Sequence, residues 1–342
     1  MRIYSLDAAR GVAAIAVILF HVYSGRSFFH HFFLFVDFFF VLSGFVLAFT
    51  INDLSDIVRV GKFLRNRFVR LFPMAYSALL FVIFIQLIVN IKYRVMGEDL
   101  FVSIPLDPIT VLASFLFLQV FSLNSQLLLY PLWSLSSEWL TNLLASSIYL
   151  SSAIKKIQLF IFLGAAIIGI SIAVNESPRL QICTNQVGRG LFGFGLGLLA
   201  WEYRKLQKIN LHKSILISIV VIAPLFAFYL NGKSSNVAVY VSPLMFTLVV
   251  YSLNILETEF YVKPPVVVCK YLGRVSYGLY VWHVIATNIV ALASKNFNLQ
   301  ALEPEEFLGI PRLSLVLFIT LVCTEIVLKL IEAPIRRKLT YV

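Results

Sequence analysis

Eleven apolar stretches dominate this chain of 342 residues, near 5–24, 32–51, 71–91, 107–129, 132–151, 157–175, 187–203, 213–230, 237–256, 272–294 and 312–332. About 20 apolar residues in helical conformation cross a hydrocarbon core, and most of the stretches come close to that length. In lipid a backbone must satisfy its own hydrogen bonds, so this pattern predicts an all-α bundle of transmembrane helices. Composition agrees, with 60% hydrophobic and 13% charged residues, about half the charged share of a soluble domain. A soluble enzyme and a disordered chain are excluded. The net charge of +11 does not argue for nucleic acid as a partner, because Lys and Arg collect in the cytoplasmic loops of membrane proteins. Cys183, Cys269 and Cys323 lack CxxC spacing, so neither a disulfide framework nor a metal site is expected. No Ala-x-Ala cleavage site follows the first apolar stretch, which reads as a retained helix rather than a signal peptide.

Charge decides how many stretches cross. Segment 107–129 is interrupted by Gln119 and by Asn124-Ser125-Gln126, and it runs into Pro131 almost without a linker. If it enters and leaves on one side, ten spans remain and both termini are cytoplasmic. Twenty of the 28 basic residues are then inside, and Arg26, Lys92, Arg94, Arg179, Arg189, Lys233, Lys295 and Arg312 are outside. If it crosses fully, every later loop flips and the inside count falls to about twelve, against the positive-inside rule. Ten spans plus one re-entrant segment is the expectation. Such a segment should line a cavity, since irregular backbone at depth is tolerated only against protein or water.

Ionisable groups within spans are costly and mark function. Arg10 and His21 are eleven residues apart in the first span, which returns them to one helix face about 16 Å apart. The plain alternative is an Asp7–Arg10 pair and a structural histidine. In the second span Asp37 and Gly44 share a face with Ser43 alongside; Asp37 either orients His21 or caps its own helix. Arg67 and Arg70 are i,i+3 neighbours in the densest basic stretch, Lys62 to Arg70. Paired guanidiniums suit phosphates, and the alternative is charge that sets topology against anionic membrane lipid. In the fifth span Ser134, Glu138, Thr141 and Ala145 form one stripe. Glu138 needs a partner, and His21 is placed at a similar depth. The tenth span carries Ser276, Tyr280, His283 and Thr287 at helical spacing, a stripe expected to face protein. Gly193-x-x-x-Gly197 reads as close helix packing with little chemistry. His30, His31 and His212 are expected in solvent. No Gly-x-Ser-x-Gly elbow, Walker A loop or dinucleotide glycine motif occurs.

The stretches Leu6-Asp-Ala-Ala-Arg10-Gly with His21, Asp37-Phe-Phe-Phe-Val-Leu-Ser-Gly-Phe and Arg67-Phe-Val-Arg70 resemble the integral-membrane acyltransferase-3 family. So do Trp133-Ser-Leu-Ser-Ser-Glu138, Leu272-Gly-Arg-Val-Ser-Tyr-Gly-Leu-Tyr-Val-Trp-His283 and Glu332-Ala-Pro334. They are in the family's order and span nearly the whole chain, although Trp139-Leu-Thr departs from the usual residues after the glutamate. The resemblance implies a multi-pass protein of the bacterial inner membrane that transfers an acetyl group from cytoplasmic acetyl-CoA. The acceptor would be a hydroxyl of a cell-envelope sugar, such as lipopolysaccharide O-antigen or exopolysaccharide. It implies that Arg10 and His21 are essential and that Arg67 and Arg70 handle the donor. Residues 1–342 are expected to form one membrane domain without the fused extracytoplasmic domain that many relatives carry. Oligomeric state is not legible.

The catalytic set expected is therefore His21, Glu138 and Asp37, with Arg10, Arg67 and Arg70 on acetyl-CoA, and Ser43, Ser134, Tyr280 and His283 lining the substrate cavity. No metal is expected. A transporter or flippase for an acyl group or lipid-linked sugar is the alternative on the residues alone. His21→Ala should lower transfer about 10²–10⁴-fold, the usual worth of a general base, while leaving the fold intact; unchanged ester content of the acceptor glycan would refute that role.

Overall fold

The computed structural model describes residues 2–23, 28–51, 54–96, 106–121, 127–150, 156–173, 178–206, 211–262, 264–297 and 310–340. Asn124 to Gln126, Arg26, Lys155, Lys208 and Lys263 lie outside them. The described residues are helical and without strands. The helices are α1 (Tyr4–Val22), α2 (Phe35–Ile51), α3 (Ile57–Met96), α4 (Pro108–Phe115), α5 (Leu132–Leu150), α6 (Lys156–Ala173), α7 (Pro178–Leu206), α8 (Lys213–Lys233), α9 (Ser235–Thr258), α10 (Val266–Phe297), α11 (Ile310–Val327) and α12 (Ala333–Thr340). A π-helical turn, Leu328–Glu332, joins the last two just before Pro334, whose missing N–H breaks the regular ladder.

The bundle is inverted relative to a soluble protein. Phe162 is 71% exposed and Phe318 64%, while Asp37 and His283 are wholly buried. That is the distribution expected where lipid surrounds the helices and polar groups turn inward. Many inward hydroxyls bond their own helix: Thr141 donates to Ser137, Thr287 to His283 and Thr324 to Thr320. Those bonds to the carbonyl four residues back satisfy them without a partner helix.

Seven helical stretches among the described residues are long and apolar enough to cross a membrane: Tyr4–Val22, Phe29–Ala48, Ile57–Val89, Lys213–Lys233, Ser235–Thr258, Val266–Ser294 and Pro311–Lys338. Ile157–Ala173 is a shorter apolar helix. The predicted segments 132–151 and 187–203 are also helical, as α5 and part of α7, but more polar. Their polarity is explained by burial, since Ser136, Ser137 and Asn142 of α5 and Gln186 and Arg189 of α7 are all interior.

Segment 107–129 does not form a crossing helix in its described part. The eight residues of α4 rise about 12 Å, well short of a roughly 30 Å core. The chain then turns at Phe117, whose φ of 55° is left-handed. A phenylalanine holds that conformation because its ring is buried, 4.4 Å from the Phe72 ring. Tyr76 donates to the Phe115 carbonyl at 2.8 Å, Gln119 to the Ser114 carbonyl at 3.0 Å, and Ser136 to Gln119. The segment thus docks on α3 and α5; the cavity-lining residues come just after it, at Tyr130 and Pro131.

Pairwise, α1 packs on α10, α2 and α6 on α7, α8 on α9, and α10 on α11. The α2–α7 contact is made at backbone distance. A Cβ added at Gly44 would collide with the Phe194 carbonyl, one at Gly197 with the Val41 carbonyl, and one at Gly193 would lie 2.9 Å from Phe40 Cβ. The spaced glycines of α7 therefore admit α2 at backbone distance, as small-residue motifs do in membranes. At the start of α1 the amides of Tyr4 and Ser5 donate to the two carboxylate oxygens of Glu257 on α9, at 2.8 and 2.6 Å. Ile3 offers no side-chain cap, so a carboxylate from another helix meets the positive end of the α1 dipole. Outside the bundle, Asp56 receives the Val58 and Arg59 amides at 2.9 Å, and the Arg59 amide above all holds its carboxyl below the usual range.

Gly44→Leu should abolish or grossly lower the thermal transition in detergent, because backbone atoms of α7 cannot yield. Gly61→Ala, in a turn of α3 where an added Cβ meets nothing within 4 Å, should raise stability by about 0.5–1 kcal/mol through helix propensity. Equal melting of both variants would refute the close approach.

Candidate functional site

Two cavities with polar linings lie in the interior of the bundle, and Val36 and Tyr280 line both. The first is lined by Arg10 of α1, Ser43 of α2, Arg67 and Arg70 of α3, Ser134 and Glu138 of α5, and Tyr277 and Tyr280 of α10, with apolar side chains between them. Glu138 stands among the arginines: its Oε1 accepts from Ser43 at 3.1 Å and lies 3.8 Å from Arg67 Nη1. Arg10 also feels the charges of Arg70, Asp7 and Glu138. Three guanidiniums against one carboxylate leave the lining with a formal excess of two positive charges. Arg67 and Arg70 reach one cavity because i,i+3 side chains share a helix face. Tyr277 ties α10 to α3 by donating to the Leu71 carbonyl at 2.6 Å.

The second cavity is lined by His21 of α1, Tyr130 and Pro131 before α5, Trp133, Asn185, Gln186 and Arg189 of α7, and Tyr280 and His283 of α10, with Phe20 and Phe33 among its walls. The His21 and His283 rings lie 4.8 Å apart between centroids, tilted by 45°. His283 Nδ1 is 2.7 Å from the Tyr280 carbonyl oxygen. That oxygen only accepts, so Nδ1 carries the proton and Nε2 presents a lone pair. Nε2 is buried and has no hydrogen-bond partner among the described residues.

Between the cavities, the Ser134 and Tyr280 hydroxyls share a 2.7 Å hydrogen bond, and Ser134 lies 3.1 Å from the Pro131 carbonyl. Tyr280 lines both cavities. α1 also connects them, with Arg10 at one cavity and His21 at the other. Eleven residues of helix set a span of about 16 Å along its axis.

Asp37 lines neither cavity. It is wholly buried in the first turn of α2, where Arg189 Nε donates to Oδ1 at 2.9 Å and Ser242 of α9 donates to Oδ2. The guanidinium also lies 5.7 Å from the ring centres of Phe33 and Trp133. The carboxylate is thus engaged by α7 and α9, and it holds Arg189 at the second cavity instead of orienting His21.

Of the residues singled out in the sequence, Arg10, Arg67, Arg70, Glu138, Ser43, Ser134 and Tyr280 come together in the first cavity, and His21 and His283 with Tyr280 in the second. Glu138 and His21 line different cavities. Sequence reasoning missed Arg189, which was counted on the outer side at the start of the seventh span, with no role, and is a buried residue of α7. Its signal was available: an arginine within an apolar, glycine-rich helix, where burial is costly without function. Asn185 and Tyr130 carried no such mark. His31, expected in solvent, stacks on Phe228 and hydrogen-bonds Asn231 at 2.8 Å.

An apolar helical bundle enclosing a cationic cavity and a histidine-bearing one defines a multi-pass membrane protein with a polar interior. The chain belongs to the acyltransferase-3 family: the family model, described as an acyltransferase domain, matches residues 3–328, nearly the whole length. It is an acyltransferase. Comparison with curated proteins and with solved structures returned no match.

Removing one partner of a buried ion pair strands the other charge, at about 3–5 kcal/mol, whereas replacing both is often tolerated. Asp37→Leu should therefore lower the thermal midpoint in detergent far more than Asp37→Leu combined with Arg189→Met. A double variant no more stable than the single one would show that the pair is not what holds α2 to α7.

Proposed function

We propose that the protein is an O-acetyltransferase of the bacterial inner membrane that moves acetyl from cytoplasmic acetyl-CoA to a hydroxyl of an envelope sugar, such as lipopolysaccharide O-antigen or exopolysaccharide. The observation that carries this reading is the pair of cavities, one rich in guanidinium and the other bearing two imidazoles, with Tyr280, bonded to Ser134, lining both. Ten spans in one membrane domain, with both termini cytoplasmic, supply the orientation. The exposed start of α3, with Arg59 and Lys62, then lies on the cytoplasmic side, where positive charge is retained.

Acetyl-CoA enters as a substrate, and the chemistry of its phosphates suits Arg67, Arg70 and Arg10, because guanidinium binds phosphate bidentately. Glu138, which accepts from the Ser43 hydroxyl, lies 3.8 Å from Arg67 and restrains that guanidinium. The acyl arm passes the Ser134–Tyr280 contact to reach His21. There the neutral imidazole takes the proton of the acceptor hydroxyl while that oxygen bonds to the acyl carbon. The C–S bond breaks, and the coenzyme A thiolate leaves with the proton that His21 returns. Atoms and charge balance without a metal or redox partner.

Arg67→Ala and Arg70→Ala should each weaken donor binding about tenfold or more, as expected for loss of a charge-assisted hydrogen bond. Thermal stabilisation of the purified protein by coenzyme A measures this directly. Equal stabilisation of the wild type and the double variant would remove the arginines from donor binding. The activity is tested by incubating membranes with radiolabelled acetyl-CoA. Label should move onto envelope glycan; label that crosses unchanged in its thioester would indicate a carrier and overturn the reading.

A further inference from the structure

Ten buried side-chain atoms lack a hydrogen-bond partner among the described residues, and three of them belong to residues that line the histidine cavity. They are Asn185 Oδ1, Arg189 Nη2 and His283 Nε2. A buried polar atom without a partner costs about 1–3 kcal/mol, so such atoms are rare and call for an explanation. Their chemistry is specific. Asn185 Oδ1 and His283 Nε2 only accept, the latter because Nδ1 holds the proton against the Tyr280 carbonyl. Arg189 Nη2 only donates, and its guanidinium is fixed in place through Nε by Asp37.

We infer that these three atoms recognise the acceptor itself, as an uncharged polyhydroxylated ring that gives two hydroxyl protons to Asn185 and His283 and takes one hydrogen bond from Arg189. The inference rests on the proposed transfer to a sugar and narrows its class to neutral residues. Arg189 is already balanced by Asp37, so a uronate or other anion would place a second negative charge beside a buried pair that has room for one. A cationic amino sugar finds no carboxylate among the cavity's lining residues. The aromatic walls, Phe20, Phe33, Tyr130 and Trp133, suit the apolar faces of a sugar ring. His283 thereby holds the ring next to His21, whose imidazole takes the proton of the hydroxyl to be acylated.

The test uses full-length protein in membranes with radiolabelled acetyl-CoA. Asn185→Leu removes one acceptor. His283→Asn keeps an N–H for the Tyr280 carbonyl and loses Nε2. Arg189→Lys keeps the charge facing Asp37 and loses Nη2. Each should lower label on envelope glycan about tenfold, the worth of one hydrogen bond in a closed site, while coenzyme A stabilises each purified variant as it does the wild type. Added as competing acceptors, neutral p-nitrophenyl hexosides should draw label from the glycan, and the corresponding glucuronide and glucosaminide should not. Variant labelling within twofold of wild type, or best competition by the glucuronide, would overturn the inference and leave the parent reading standing. Absence of glycan label with the wild type would overturn both.

Discussion

A carboxylate inside an apolar bundle is tolerable only when its lone pairs and its charge are met, because desolvation otherwise costs several kcal/mol. Asp37 is met twice, by Arg189 from α7 and by Ser242 from α9. Three helices distant in sequence are thereby tied at one depth. The glycines of α7 make this possible: they bring α2 to backbone contact, which leaves the short aspartate close enough to reach the guanidinium. Packing and electrostatics depend on each other here. A larger residue at Gly44 or Gly197 would part the helices, and a missing charge would leave its partner stranded between them.

From that anchor the division of the interior follows. Arg189, neutralised by Asp37, reaches the second cavity without adding net charge, while Arg10, Arg67 and Arg70 outnumber Glu138 in the first. The first lining is therefore formally cationic and the second is not. The difference lies in the count of carboxylates: one stands beside three arginines in the first cavity, whereas Arg189 has Asp37 to itself. Tyr280 lines both spaces, and the distance between Arg10 and His21 is a fixed property of one helix.

The stretches that become helices were legible because hydropathy and length are properties of the chain alone. Phase along a helix was equally readable. Arg67 and Arg70 share a cavity as their spacing requires, and Ser276, Tyr280, His283 and Thr287 are buried along one face. The close-packing glycines also did what their spacing implied. Segment 107–129 broke its apolar run with Gln119, and that side chain now bonds back to Ser114 and receives Ser136. Periodicity, however, says nothing of how one helix is rotated or slid against another. Depth counted from loop ends put Glu138 beside His21; tertiary packing gave Glu138 to the arginines, one turn along α5 from the Ser134–Tyr280 contact.

Sequence alone thus determined a helical membrane protein, its family, and most of the polar residues of its interior, since each of these rests on local composition and spacing. The partnership of Asp37 with Arg189, 152 positions apart, was decided only in three dimensions. So was the sorting of the polar residues into two cavities, and so was the gathering, on residues of the cavity that bears His21, of three buried atoms unpaired among the described residues. The reason is physical: hydrogen-bond satisfaction is a property of pairs, and pairs exist only once the helices have chosen their neighbours.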